Sequence, residues 1–177
     1  MARFVAFLRG INVGGNNLIP MAVLKASCES AGLTDVRTYL QSGNVLFNTT
    51  RKDPARVIEK ALELDVKVIV RTIDELRAVI AKNPFEGERN PKQLIVVFLD
   101  AEPSKAAQDA LLAAHKGPEE IHFAGRELFI YYDEGMGKSK LTNALIERKL
   151  GVRGTARNWN TVTALLTQSQ TAPAPRA

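Results

Sequence analysis

Residues 71–80, RTIDELRAVI, decide the fold because their pattern returns as RNWNTVTALL at residues 157–166. In both stretches apolar side chains recur at the spacing of an α-helix, three and four residues apart. When the two arginines are aligned, the apolar positions coincide: Leu76, Val79 and Ile80 fall over Val162, Leu165 and Leu166. The alignment predicts that one structural unit occurs twice in the chain.

Outward from this stretch, the first half of the chain is predicted to have the order β-α-β-β-α-β-α. Asp53 before Pro54 predicts an N-cap followed by proline at the first helical position. Thr72 and Glu75 match a capping box. Glycine and asparagine within residues 41–44 favour a tight hairpin. Strands are predicted at residues 3–8, 36–40, 45–48 and 66–70, and helices at 20–31, from 54 onward and from 73 onward.

The second half repeats this order. Its predicted strands are 94–99, 120–123, 128–132 and 154–156, and its predicted helices are 104–115, 139–150 and 158–166. The predicted fold class is α/β (α+β), a tandem duplication of two ferredoxin-like βαββαβ subdomains, each with an extra C-terminal helix. The predicted boundaries are a first subdomain at 1–83, a connecting loop at 84–92, a second subdomain at 93–167 and a disordered tail at 168–177, which has little to bury.

The composition predicts a cytoplasmic protein. The chain has a single cysteine, Cys28, so it cannot form a disulfide framework, which fits a reducing compartment. Cys28 lies in register with the apolar face of the first helix, where a small buried hydrophobe is expected. The N-terminus lacks a small-residue cleavage site and is typical of a first strand, and no apolar run is long enough to cross a bilayer. One cysteine and two scattered histidines predict no metal site.

The loop after the first strand, LRGINVGGNN at residues 8–17, is the first candidate for ligand binding. It is not a dinucleotide fingerprint, because the helix starts about five residues after the last glycine, and no GK[ST] follows to make a P-loop. The loop is longer than usual, and its backbone N–H groups could bind an anion. The alternative is a structural loop in which asparagines satisfy backbone groups. The candidate residues are Arg9, Asn12, Gly14, Gly15 and Asn17.

The hairpin at residues 41–44 is the second candidate. Ser42 offers a hydroxyl next to Gly43 and Asn44, although the sequence places no base beside it. All three are candidate ligand-binding residues.

The third candidate is GMGKSK at residues 135–140. It lacks the first glycine of a P-loop, because Tyr132 stands at that position. Ser139 could cap a helix and Lys138 could attract an anion. Residues 135–157 hold six basic side chains and one acidic side chain, a local charge of +5. The alternative is a solvated helix face.

The fourth candidate surrounds the only tryptophan, in TARNWNT at residues 155–161. Arg157 would bind phosphate while Trp159 offers a stacking surface for a base or sugar. Asn158 or Asn160 could instead cap the last helix, and Trp159 could belong to the core.

Together these motifs resemble a bacterial family catalogued as domain of unknown function 1697, from about Arg3 to Leu166. The resemblance rests on LRGINVGGNN, TYLQSGNVLF, NPF, SKLTNALIERKLG and TARNWNTVTALL, in that order. It implies an α/β fold of two related ferredoxin-like subdomains, and it carries no activity, substrate or cofactor over to this chain. One departure is Ala156, where the family pattern leads us to expect a threonine.

We therefore expect a cytoplasmic protein that binds an anionic, phosphate-bearing ligand, a nucleotide or nucleic acid, in a cleft between the subdomains. One alternative is an enzyme of unknown reaction that uses arginine, asparagine and serine groups in the same cleft. Another is that the motifs only hold the two lobes together. No cofactor, metal or membrane partner is predicted, and no oligomeric state.

Overall fold

The computed structural model describes residues 1–85, 87 and 89–171. The chain divides into two compact units. Of the described residues, the first unit comprises 1–78 and 164–171, and the second comprises 79–85, 87 and 89–163. The first half of the chain contains β1 (Ala2–Leu8), α1 (Met21–Ser30), β2 (Thr34–Tyr39), β3 (Asn44–Thr49), α2 (Pro54–Leu62), β4 (Val68–Thr72) and α3 (Ile73–Ala81). The second half contains β5 (Leu94–Leu99), α4 (Lys105–Ala114), β6 (Glu120–Ala124), β7 (Glu127–Tyr131), a short 3₁₀ helix (Met136–Lys138), α5 (Asn143–Leu150), β8 (Gly154–Asn158) and α6 (Trp159–Gln170).

Each unit contains a four-stranded antiparallel sheet of the same topology. The strand order is β2-β3-β1-β4 in the first sheet and β6-β7-β5-β8 in the second. This is the ferredoxin-like arrangement. The duplication extends to the register, because Val5 lies opposite Arg71 in the first sheet and Val96 lies opposite Arg157 in the second. The predicted fold class is therefore confirmed.

In the first unit, one face of the sheet packs against α1 and α2. Leu24 and Cys28 of α1 and Ile58 of α2 are fully buried in one cluster with Leu8 and Phe47 of the sheet. Cys28 is thus the small buried hydrophobe that its helical position predicts. Burial, and next the negative charge of Glu29, raises the pKa of the Cys28 thiol to about 11. The thiol is protonated at neutral pH.

In the second unit, α4 and α5 cover one face of the sheet in the same way. Leu111 of α4 and Ile146 of α5 pack with Val97 and Leu128 of the sheet, and Ala156 of β8 packs against this cluster. At position 156, where the resemblance leads us to expect a threonine, the chain therefore has a small apolar side chain that packs against the core.

Local capping explains where most helices begin. The capping box is confirmed, because Thr72 N donates to Glu75 Oε2 at 2.7 Å and Glu75 N donates to Thr72 Oγ1 at 3.1 Å. Asp53 caps α2 as predicted. The helix predicted at 139–150 begins later, at Asn143, because Thr142 rather than Ser139 accepts the capping hydrogen bond from Leu145 N.

The last predicted strand, 154–156, is longer than expected. Pairing with β5 continues as far as Asn158, which lies opposite Ile95. Hydrogen bonding to the neighbouring strand sets the end of β8, and the sequence of β8 alone does not show where that pairing stops.

The predicted connecting loop at 84–92 belongs to the second unit. Phe85 is buried, and its ring lies 5.9 Å from the ring of Tyr131. The Arg89 guanidinium lies 4.7 Å from the centre of the Tyr131 ring and also pairs with Glu120 at 2.9 Å. These contacts anchor the segment on β6 and β7.

The disordered tail predicted at 168–177 is wrong for its first residues. Helix α6 continues to Gln170, and Ser169 is buried and donates to Leu166 O at 2.6 Å. Arg37 Nη1 donates to Thr171 Oγ1 at 2.8 Å and to Gln168 O at 3.3 Å. These hydrogen bonds order a segment whose composition alone predicts disorder. The remainder of that prediction, 172–177, lies outside the described residues.

Candidate ligand-binding site

Asn12 organises the long loop after β1. Its Oδ1 accepts from Ile19 N at 2.7 Å, and its Nδ2 donates to Ile19 O at 3.0 Å. The same Nδ2 donates to Gln41 O at 2.8 Å, which ties this loop to the β2–β3 hairpin. The loop itself folds back, since Asn12 N donates to Asn17 O at 3.2 Å. Asn12 therefore forms hydrogen bonds with backbone groups of its own unit. This is the arrangement expected for a structural loop in which asparagines satisfy backbone groups.

The tip of this loop is exposed. Gly14 and Gly15 have positive φ angles of 59° and 78°, which explains glycine at both positions. Asn17 is also exposed, and its Nδ2 donates to Gly10 O at 3.4 Å. Arg9 is half-buried, and its backbone N donates to Lys67 O at 2.9 Å. Ligand binding by these four residues stays a prediction.

The residues of the β2–β3 hairpin also support the backbone. Asn44 is fully buried, and its Nδ2 donates to Tyr39 O at 2.7 Å and to Ser42 Oγ at 3.1 Å. Gly43 has a φ of 86°, and a Cβ there would lie 2.5 Å from Ile11 Cδ1. The glycine is required by packing as well as by backbone conformation. Ligand binding by Ser42, Gly43 and Asn44 stays a prediction.

Arg157 is buried in the protein. Its side chain donates to Thr155 Oγ1 at 2.7 Å and to Ala156 O at 2.8 Å, and only 7% of the residue is exposed. Burial lowers the pKa of the Arg157 guanidinium to about 10, so it remains protonated at neutral pH. Contact between Arg157 and a phosphate stays a prediction.

The remaining polar groups of the TARNWNT segment shape the start of α6. Asn158 Oδ1 accepts from Thr161 N at 3.0 Å and from Thr161 Oγ1 at 3.2 Å. Of the two predicted caps, Asn158 is the one that caps α6, while Asn160 is exposed. Trp159 is half-buried. Ligand binding by Asn158, Trp159 and Asn160 stays a prediction.

Lys138 lies on a cavity within the second unit. The cavity has a volume of ≈ 480 Å³ and is formed by the segment after α4 and the loop between β7 and α5. Its lining includes His115, Lys116, Glu119, Glu134, Lys138, Ser139, Lys140 and Leu141. Polar, charged and apolar groups thus converge on one concavity, the usual character of a small-molecule site.

The carboxylate of Glu119 is the central polar group of this cavity. Ser139 Oγ donates a short hydrogen bond to Glu119 Oε1. His115 Nε2 lies 3.5 Å from Glu119 Oε2 and 3.0 Å from the Glu119 carbonyl oxygen. The side chains of Glu119 and His115 are only 8% and 13% exposed. A buried carboxylate, an imidazole and a hydroxyl therefore share one site.

Neighbouring groups hold this arrangement in place. Ser139 Oγ accepts from Leu141 N at 3.0 Å, and Tyr132 Oη donates to Leu141 O at 2.9 Å. Burial, and next the negative charge of Glu119, raises the pKa of Tyr132, so its hydroxyl keeps its proton. A Cβ at Gly117 would collide with Glu119 Oε2. The cavity wall is therefore specified by backbone shape as well as by side chains.

Sequence reasoning selected Lys138 but missed Glu119 and His115. Ser139 was expected to cap a helix, whereas it contacts a carboxylate twenty residues earlier. The two histidines are scattered in the sequence and predict no metal site, and no motif pairs His115 with Glu119. The local signal is the glycine and proline at residues 117–118, directly before Glu119, which predict a turn at this point.

A second concavity lies on the first unit between α1 and α2. It is shallow, with a volume of ≈ 700 Å³, and small or apolar side chains such as Ala26, Ser27 and Val57 line most of it. Arg51 and Lys60 contribute the charged groups. The cavity around Glu119 has the more diverse chemistry and is the better candidate.

Among the described residues, no group of three or more histidine, cysteine, aspartate and glutamate side chains is arranged to hold a metal ion. Within the same part of the chain, no helix combines the length and apolar character needed to cross a membrane.

The fold and the cavity define a class: a duplicated ferredoxin-like α/β protein with lysines around a polar cavity in its second unit. The chain belongs to the family described as Protein of unknown function (DUF1697), whose model matches residues 1–129. This confirms the family that the motifs predict.

The chain is also similar to a solved structure, that of the conserved bacterial protein SP0830 from Streptococcus pneumoniae. The two are 21% identical, with a TM-score of 0.76, over 97% of this chain and 99% of that chain. At this identity the likeness shows the fold alone. No curated protein matches the chain.

Proposed function

We propose that this protein binds a small, phosphate-bearing ligand and that the cavity around Glu119 is its binding site. The observation that carries the proposal is the convergence of Lys116, Lys138 and Lys140 on a cavity with a buried polar floor. Exposed ammonium groups attract an anion, and a concave site can exclude enough water to strengthen that attraction.

The charge balance of the cavity supports an anionic ligand. The three lysines face two acidic residues, Glu119 and Glu134. The Glu119 carboxylate already accepts a hydrogen bond from Ser139, which stabilises part of its negative charge locally. The phosphate is therefore expected near the lysines, away from Glu119.

The size of the cavity favours a small molecule over a nucleic acid duplex. Its ≈ 480 Å³ falls within the roughly 300–1,000 Å³ typical of small-molecule sites. A mononucleotide or another phosphate ester can enter such a space, whereas a duplex would require an extended basic surface.

We also infer that the protein is bacterial and acts in the cytoplasm, where the Cys28 thiol remains reduced.

Calorimetric titration with inorganic phosphate, ribose 5-phosphate and adenosine monophosphate, at low and high salt, tests the proposal. Binding should weaken by about thirtyfold in the double variant Lys138→Ala/Lys140→Ala, because each of the two lost charge contacts contributes of the order of 1 kcal/mol. The matched control is Lys52→Ala/Lys92→Ala, which removes the same charge at exposed positions away from the cavity. Equal weakening in both double variants, or no binding by the wild type, would rule out this site.

A second candidate function is acid–base catalysis on the same ligand. The specific observation is that Glu119 contacts both the Ser139 hydroxyl and the His115 imidazole, which are groups that can move protons. Hydrolysis of a chromogenic phosphate ester should then fall by about a hundredfold or more in Glu119→Gln. A rate unchanged by that substitution would leave binding as the only role of the cavity.

A further inference from the structure

We propose, resting on the function proposed above, that the ligand is a phosphorylated polyol of the sugar phosphate class, whose hydroxyl groups donate hydrogen bonds to Glu119. The phosphate would contact Lys138 and Lys140 while the sugar occupies the cavity floor.

The Glu119 carboxylate has acceptor capacity left over. A carboxylate offers about four lone-pair positions. Within the described part of the chain, Ser139 fills one position on Oε1, and His115 Nε2 stands 3.5 Å from Oε2, longer than a normal hydrogen bond. The His115 nitrogen is closer to the Glu119 carbonyl oxygen, at 3.0 Å. Oε2 packs against Gly117, and the described residues make no hydrogen bond of normal length to it, so a ligand hydroxyl that reaches this oxygen can donate to it.

A buried carboxylate gains much from such a donor. The Glu119 side chain is 92% removed from solvent, given its 8% exposure. Desolvation leaves a charged acceptor with fewer water molecules, so a ligand hydroxyl replaces lost hydrogen bonds rather than competing with bulk water. Hydrogen bonds to charged groups are stronger than neutral ones. A ligand with hydroxyl groups therefore gains from the Glu119 carboxylate, whereas the same carboxylate repels inorganic phosphate.

The charges around the cavity favour hydroxyl donors over an ammonium donor. An amine on the ligand would pair with Glu119, yet it would also face Lys116, Lys138 and Lys140. Neutral hydroxyl groups avoid this repulsion while still donating. A ligand that carries both a phosphate and hydroxyl groups therefore matches the lysines and the carboxylate that line the site.

The lining also favours a sugar over a nucleobase. Among the described residues that line the cavity, His115 contributes the one aromatic ring, and it is largely buried beside Glu119. Nucleobases are commonly held between aromatic or guanidinium planes. Trp159, the stacking residue expected from the sequence, does not line this cavity. A compact polyol needs hydrogen bonds rather than a stacking plane.

The experiment compares three probes by calorimetry on the full chain: inorganic phosphate, propyl phosphate and ribose 5-phosphate. Ribose 5-phosphate should bind about tenfold or more tightly than propyl phosphate, because the two share the phosphate ester but differ in hydroxyl groups. This comparison uses the wild type alone, so it does not depend on the stability of any variant. Similar affinities for the two esters would overturn the inference while leaving phosphate binding intact.

Glu119→Gln supplies the second arm. The amide keeps the size of the side chain but removes the charge, so the advantage of ribose 5-phosphate over propyl phosphate should shrink to about threefold or less. Affinity for inorganic phosphate should stay equal or rise. Glu102→Gln, an exposed residue of the same unit, is the matched control and should preserve the full advantage. An advantage that survives Glu119→Gln would overturn the inference, and failure of all three probes to bind would overturn both proposals.

Discussion

Ser139 donates a hydrogen bond to the carboxylate of Glu119, and this contact closes the wall of the cavity across twenty residues of chain. The same Oγ accepts from Leu141 N at 3.0 Å, so one hydroxyl both ties the loop and supports the carboxylate. Two functions of one oxygen make this loop sensitive to substitution.

Ser139→Ala should lower the free energy of unfolding by about 1–3 kcal/mol, because it leaves the Glu119 carboxylate and the Leu141 N–H without that partner. Urea denaturation followed by circular dichroism measures the change. Ser30→Ala, at an exposed position near the end of α1, is the control and should stay within about 0.5 kcal/mol of the wild type. A Ser139→Ala variant as stable as its control would contradict a supporting role for the hydroxyl.

Gly117→Ala should disturb the cavity through steric overlap. The added Cβ would collide with Glu119 Oε2, and relieving that overlap should cost about 1–3 kcal/mol of stability or displace the carboxylate. Gly137→Ala is a closely matched control, because a Cβ there meets nothing within 4 Å. Thermal unfolding of both variants, with phosphate titration alongside, measures the difference. Equal behaviour of the two alanine variants would argue against a crowded wall at Gly117.

Asn12→Ala should destabilise the first unit by about 1–3 kcal/mol, because three hydrogen bonds that hold the long loop are lost. Phosphate affinity should remain unchanged if the loop only supports the fold. Asn16→Ala, on the exposed part of the same loop, provides the comparison. Loss of phosphate binding in Asn12→Ala with unchanged stability would instead support ligand binding by this loop.

Asn158→Ala should cost about 0.5–2 kcal/mol, because Asn158 caps α6 through Thr161 N. Asn160→Ala, two residues later and exposed, should have a much smaller effect. Chemical denaturation of the two variants separates the two asparagines that the sequence left as alternatives. A larger loss at Asn160 would show that the cap is assigned to the wrong residue.

Cys28 should react very slowly with a thiol reagent near neutral pH. Its pKa is raised to about 11, mainly by burial, so the reactive thiolate is scarce until the pH approaches that value. The labelling rate should rise with pH towards 11 and jump on unfolding. A Cys28→Ala/Ser30→Cys variant, with its thiol exposed on the same helix, should react rapidly at pH 8. Fast labelling of the native wild type would contradict the buried, protonated thiol.

The sequence supports accurate predictions wherever the determining interactions are local or periodic. The capping box of Thr72 and Glu75 spans three residues and forms as predicted. The repeated apolar spacing predicts the duplicated βαββαβ order, since a helix must bury one stripe and a strand must bury alternate side chains. The end of β8 was harder to predict, because its pairing with β5 continues to Asn158.

The difference between interactions that are local in sequence and those between distant segments also explains which parts of the candidate site could be predicted. The amino-acid sequence by itself determined the family, the fold class, the duplication, the cap at Asp53 and the burial of Cys28, because periodicity and short-range hydrogen bonds encode them. Only the tertiary structure shows that the Asn12 amide donates to Gln41 O, a residue twenty-nine positions later in the chain. It alone brought Glu119, His115 and Ser139 onto one cavity, because their contacts depend on how two loops are held by the packing of α4 and α5 against the second sheet.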